Sequence, residues 1–157
     1  MIFVRTVVFA SCGSLSSLDN VGRVNEQTAV TGSKARWFVR QLVDGGPAWL
    51  AEHLPAQFVV GMPSGSTVID RDGFIEAAKQ RAALVNGMGL PAPTLGETSH
   101  AELGSGYLIV TATWTMPGPD GDTLTLMEDF LIDRTGPEWM CLSYLLRQDL
   151  PGLLGNR

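Results

Sequence analysis

The chain has 157 residues, of which 11 are Lys or Arg and 16 are Asp or Glu, so its formal net charge is −5. A chain of this length buries enough surface to fold as one domain, and a 45% apolar content supplies the side chains. The net negative charge and the scattered positions of the basic residues exclude a continuous basic surface that could bind a nucleic-acid backbone. No apolar run approaches the roughly 20 residues of a membrane helix, so neither nucleic acid nor a membrane is expected as a partner.

The chain divides into a leader, one domain and a short tail. Residues 1–30 have no sustained hydrophobic period and read as a loose leader, residues 31–150 form the α+β domain, and residues 151–157 form the tail. Residues 1–12 weakly resemble an export signal, but Arg5 interrupts their apolar stretch, so a cytoplasmic location is favoured. Cys12 and Cys141 are too few for a disulfide framework or a four-cysteine zinc site. We therefore expect no metal and no cofactor.

Helical spacing dominates the first half of the domain. Ala35, Phe38, Val39 and Leu42 follow the i, i+3, i+4, i+7 pattern of one helix face, which Gly45-Gly46 ends. Pro47 begins a short second helix that Pro55 stops. Residues 57–62 predict a strand, and after a turn at residues 63–66 a third helix is capped by Asp70 or Asp72 and ends at Gly87.

Beyond Gly87 the hydrophobic period changes from 3.6 to 2. This alternation predicts four strands, at residues 97–103, 107–116, 123–133 and 138–147. The turns between them are short and rich in Gly, Pro and Asp, which forces neighbouring strands to pair antiparallel. The sequence therefore predicts an α+β fold in which a curved antiparallel sheet of four to five strands forms a cone with three N-terminal helices.

One carboxylate falls on the apolar face of this sheet. Glu128 alternates with Leu126 and Phe130, and the expected turn at residues 134–137 would align it with Ser143 and align Phe130 with Cys141. A buried carboxylate is costly unless it is paired or protonated, so Glu128 is a candidate general acid or hydrogen-bond donor. The alternative is a structural network in which an Arg, Ser143 or water satisfies it.

The opposite face of the last two strands is also apolar and predicts a partner. Its side chains are Met127, Leu131, Met140, Leu142, Tyr144 and Leu146. A second copy of the chain would cover them, which predicts a homodimer through the sheet face. The alternative is that Leu150 to Leu154 fold over the patch.

Several segments together resemble a known superfamily. They are residues 38–45, 49–54, 59–66, 72–75, 113–114, 128–130 and 139–144. Their order and hydrophobic pattern resemble the nuclear transport factor 2-like superfamily, a cone-shaped α+β fold that includes ketosteroid isomerases, polyketide cyclases and SnoaL-like proteins. The resemblance covers about residues 33–150.

The resemblance implies a pocket more than a particular reaction. In isomerase-like members a catalytic carboxylate precedes the Pro of the first-strand turn, where this chain has Met62, and an oxyanion-hole Tyr stands where this chain has Phe38. Glu128 matches the inward acid that donates its proton. His100 is a candidate base, although an edge-strand His that faces solvent is the simpler interpretation.

The sequence therefore gives two hypotheses for function. In the first, a SnoaL-like protein binds a small apolar or carbonyl-containing ligand, with Glu128 as proton donor of an isomerase, cyclase or dehydratase. The pocket would be lined by Phe38, Leu42, Met62, Val110, Trp114, Phe130 and Cys141. In the second, side chains fill the cone and the protein is a non-catalytic dimerisation or interaction module. A cavity above roughly 300 Å³ that reaches Glu128 would favour the first.

Overall fold

The computed structural model describes residues 17–87, 89–118 and 121–148, with side chains from residue 28 onward. The elements are α1 (Ser17–Asp44), α2 (Gly46–His53), β1 (Gln57–Met62), β2 (Gly65–Asp70), α3 (Arg71–Gly87), β3 (Thr94–Leu103), β4 (Tyr107–Pro117), β5 (Thr123–Asp133) and β6 (Met140–Leu146). The expected signal-like segment at residues 1–12, Cys12 and the tail lie outside the described residues. None of the helices in the described part of the chain combines the length and apolar composition that a membrane span requires.

The first helix has the predicted buried face but begins earlier than expected. Ala35, Phe38, Val39 and Leu42 are all buried, as their spacing indicated. However, α1 already begins at Ser17, within the segment interpreted as a loose leader. Residues 17–30 lack a sustained apolar period, so periodicity gave no signal for these first turns.

The other two helices begin at the predicted signals. Gly46 adopts a positive φ of 70°, and Pro47 follows in the first turn of α2. At the start of α3 the carboxylate of Asp70 accepts a hydrogen bond of 2.6 Å from the backbone N–H of Gly73. Asp70 is therefore the N-cap, and its carboxylate serves the helix end.

Six strands form one curved sheet in the order β2-β1-β6-β5-β4-β3. All neighbours pair antiparallel except β1 and β6, which are parallel. The α+β fold is confirmed, but the sheet has more strands than the expected four to five because β2 was missed. That strand is exposed over most of its length and lies at a sheet edge, so it has no alternation of buried and exposed residues to detect.

The register of the last two strands differs from the prediction. Glu128 pairs with Leu146, Phe130 with Tyr144 and Ile132 with Cys141, so the expected pairs of Glu128 with Ser143 and Phe130 with Cys141 are wrong. An irregularity between Leu131 and Ile132 shifts the ladder by one residue. A shift of one residue exchanges the two faces of a strand, so Tyr144 and Leu146 lie on the inner face, under the helices.

Candidate functional site

Glu128 is the buried charged residue at the centre of the inner face, with partners from two other elements. It is 5% exposed. Tyr144 on β6 donates a short hydrogen bond from its hydroxyl to Oε1 of Glu128. Arg81 on α3 places Nη1 at 3.5 Å from the same oxygen and donates a 2.9 Å hydrogen bond to Tyr144 Oη. We call these three residues the Glu128 triad.

The surroundings of Glu128 act on its protonation in opposite directions. Burial raises its pKa above the ordinary value of 4.5, and this outweighs the lowering by Arg81 and by the hydrogen bond from Tyr144. Burial and the negative charge of Glu128 raise the pKa of Tyr144, so its hydroxyl stays a donor. The triad therefore holds a carboxyl group that gives up its proton at a higher pH than an ordinary glutamic acid, beside donors that stabilise the anion.

A cavity of about 170 Å³ opens onto two members of the triad, Glu128 and Arg81. It is lined by Val43, Arg81, Ala82, Val85, Asn86, Ala92, Pro93, Trp114, Leu126 and Glu128. This volume is below the roughly 300 Å³ that would favour the ligand-binding hypothesis, so the size of the cavity does not by itself favour ligand binding over the interaction module. It is close to the 150 Å³ or so of an engineered apolar cavity that binds benzene. The space therefore suits a single ring, and larger molecules would have to extend beyond it.

Trp114 places a buried donor at this cavity. The side chain is 5% exposed, and its indole N–H lies near enough to Glu128 to lower that residue's pKa. The contact does not reach hydrogen-bond geometry, so Nε1 has no hydrogen-bond partner among the described residues. A buried donor without a partner is costly, and a ligand oxygen in the cavity would remove that cost.

The structure brings together only part of the predicted site. Trp114 and Glu128 line the cavity, whereas the other buried candidates belong to the packed core: Phe38, Leu42, Val110, Phe130 and Cys141. Met62 is 46% exposed and borders a separate groove beneath Phe74 and Tyr144. Of the expected lining residues only Trp114 lies at this cavity, which is bounded by α3, the end of α1 and the sheet.

His100 does not join Glu128. It lies on the edge strand β3, opposite Val110. A Cβ atom added at Gly32 would be 3.2 Å from its ring, so His100 packs against α1. The cavity lining contains Glu128 and Arg81 as its ionisable groups and does not include His100. The expected acid–base pair of Glu128 and His100 is therefore not assembled here.

Sequence reasoning missed two residues of the triad. The predicted register assigned Tyr144 to the outer face, and Arg81 was given no role. A usable signal existed for Arg81, since a cation at helical spacing from Phe74, Ala78 and Val85 is favoured by an acid nearby. Glu128 was the acid already placed on the facing strand.

The described residues offer little for metal or thiol chemistry. Within them, no three His, Cys, Asp or Glu side chains cluster closely enough to hold a metal ion. Burial raises the pKa of the Cys141 thiol to about 12, which keeps it protonated and unreactive.

Comparisons with known proteins agree on the fold. No family model and no curated protein matches the sequence. An NTF2-like protein with a cystatin-like fold from Novosphingobium aromaticivorans is 14% identical with a TM-score of 0.57, covering 85% of this chain and 90% of that one. An uncharacterised protein with a cystatin-like fold from Caulobacter vibrioides is 14% identical with a TM-score of 0.51, covering 83% and 94%. The chain thus has the cystatin-like α+β fold of nuclear transport factor 2-like proteins, as its sequence resemblance implied.

Proposed function

We propose that the protein binds a small, mainly apolar molecule with a carbonyl group in the cavity beside Glu128, and that Glu128 donates a proton to that group. The observation that carries this proposal is a nearly buried carboxyl group on the wall of a mainly apolar cavity. Carboxyl groups in such surroundings are costly to the fold, and they are common where proton transfer is needed.

The triad supplies the chemistry that a proton donor requires. Burial raises the pKa of Glu128, so more of it is protonated at a given pH than for an exposed glutamic acid, and the Tyr144 hydroxyl and the Arg81 guanidinium stabilise the carboxylate that remains after transfer. The resulting carboxylate can take a proton back from another atom of the same ligand. One group therefore suffices to relocate a proton, which is the step shared by isomerases, cyclases and dehydratases.

Binding and proton transfer can be tested separately. Cyclohexanone and 2-cyclohexenone fit a one-ring cavity, and binding to the native state raises the thermal midpoint by mass action. Exchange of the hydrogens beside the cyclohexanone carbonyl in heavy water, followed by NMR, reports proton transfer. We expect wild type to show both effects and Glu128→Gln to lose the exchange. Glu97→Gln, at an exposed position on β3, is the matched control.

Two results would contradict this proposal. If no one-ring ketone or enone shifts the midpoint of wild type, the cavity is not a ligand site for this class. If Glu128→Gln exchanges hydrogens as fast as wild type, Glu128 is not the proton donor.

A second function, a non-catalytic interaction module, is favoured by the outer face of the sheet. Val59, Val68 and Leu145 are 41%, 64% and 43% exposed there. Val59 pairs with Val68, and Leu145 lies one strand away on β6. We propose that this face forms a homodimer. A monomer in sedimentation at tens of micromolar would contradict it.

A further inference from the structure

We infer that the cavity takes a one-ring compound carrying a carboxylate, whose oxygens accept hydrogen bonds from Trp114 and Arg81 while Glu128 takes up a proton from solvent. This inference rests on the proposed function, since it assigns a ligand class to the same cavity. It specifies the ligand's charge and links binding to proton uptake, neither of which the proposed function requires.

The size and the lining of the cavity set the body of the ligand. A volume of about 170 Å³ accommodates one six-membered ring with a small substituent. Val85, Ala82 and Leu126 surround that space with aliphatic groups. An aromatic or alicyclic ring replaces water against them favourably.

The polar groups of the cavity are mainly donors. Trp114 contributes its unpartnered indole N–H. Arg81 lines the cavity and uses only Nη1 in its hydrogen bonds, so its Nε and Nη2 make none within the described part of the chain. A planar carboxylate accepts two hydrogen bonds at once from a guanidinium or from neighbouring donors, which a single carbonyl oxygen does less well.

The charges of the site limit it to one anion at a time. From α3 Arg81 faces Glu128, from β6 Tyr144 faces it, and from β4 the neutral Trp114 faces it. Arg81 thus supplies the single cation. Two carboxylates beside one guanidinium repel each other, so an anionic ligand favours the neutral form of Glu128. A proton moves from solvent to the Glu128 carboxylate, and the neutral acid then donates a hydrogen bond to the ligand.

The test is calorimetric titration of wild type with benzoate, benzamide and toluene. Benzamide keeps the ring and one carbonyl oxygen without the charge, and toluene keeps the ring alone. Titrations in two buffers of different ionisation enthalpy give the number of protons taken up. We expect benzoate to bind about tenfold tighter than benzamide, because charged hydrogen bonds are the stronger ones. We also expect proton uptake on benzoate binding to grow as the pH rises through the pKa of Glu128 in the free protein, toward one proton per ligand.

Two variants test which residues cause the proton uptake and the preference for benzoate. Glu128→Gln should bind benzoate without proton uptake at any pH. Trp114→Phe should weaken benzoate about tenfold more than it weakens toluene, because both ligands lose the same wall contacts but benzoate also loses one donor to a charged oxygen. Trp139→Phe, a buried core position outside the cavity lining, is the matched control and should change neither.

The outcomes separate the two proposals. Wild type that binds toluene or benzamide but not benzoate overturns the carboxylate inference and leaves the proposed ligand site standing. Wild type that binds benzoate without proton uptake at any pH at which the protein is folded overturns the inference that Glu128 is protonated when the ligand binds. Wild type that binds none of the three overturns the ligand site itself. The wild-type titrations decide these points even if a variant fails to fold.

Discussion

Glu128→Gln should stabilise the protein, or leave it unchanged, at neutral and alkaline pH. The amide keeps the shape of the side chain, and its carbonyl still accepts the hydrogen bond from Tyr144. The attraction to Arg81 is lost, but that side chain is 35% exposed and 3.5 Å away, so solvent screens the pair to about 1 kcal/mol or less. Against this loss stands the removal of a carboxylate that is costly to bury.

The pH dependence gives this prediction its sign. Burial raises the native pKa of Glu128 above the ordinary value of 4.5, which also describes the unfolded chain. The favourable contribution of the neutral acid is therefore fully present below about pH 4.5 and is lost as the pH rises through the native pKa. Each pKa unit between the two states corresponds to about 1.4 kcal/mol. The stability of Glu128→Gln relative to wild type should therefore rise with pH over this window and then level off.

Urea denaturation measures this difference, with tryptophan fluorescence as the signal from the four Trp residues. Both proteins would be unfolded at several values from about pH 5 to pH 8, so that all other titrating groups cancel in the difference. A variant that is less stable than wild type by more than about 2 kcal/mol at pH 8 would refute the reasoning, because it would show that ionised Glu128 is held in a stabilising ion pair.

Three further predictions concern the fold and its outer face. Asp70→Ala removes the cap on Gly73 and should cost about 1 kcal/mol in chemical denaturation, while Asp72→Ala should cost less than half of that; equal costs would contradict the assignment of the cap. Hydrogen bonds from Arg147 lower the pKa of Asp129, so the stability it contributes is present above about pH 4 and lost on acidification. Acid titration of Asp129→Asn should therefore show a smaller loss of stability than wild type, by less than about 1 kcal/mol because solvent screens the pair at the half-exposed Arg147. Leu145→Asp should shift the proposed dimer to monomer in sedimentation, and an unchanged dimer would place the interface elsewhere.

Local patterns in the sequence predicted most of the architecture. The buried face of α1 follows from helical spacing, and the start of α3 follows from Asp70, whose carboxylate serves backbone groups within the same turn. The inward direction of Glu128 follows from strict alternation along β5. Each of these features depends on residues close in sequence, so the pattern contains the information.

Partnerships between distant segments were not predictable in this way. The bulge opposite Leu131 and Ile132 decides which face Tyr144 occupies, and no local pattern marks it. Strand β2 forms because β1 offers it a hydrogen-bonded edge, although its own side chains are mostly exposed. Both features depend on pairing with a neighbouring strand, and several registers satisfy a hydrophobic alternation almost equally well.

The sequence by itself determined the α+β class, the main helices and a carboxylate directed toward the core. Only the tertiary structure decided that Arg81 and Tyr144 meet this carboxylate, and that Trp114 faces open space while Phe38 lies in the packed core. The physical reason is that secondary structure follows from periodicity and local hydrogen bonds. A cavity, in contrast, is the volume left after every helix has packed against the sheet, and no single segment encodes it.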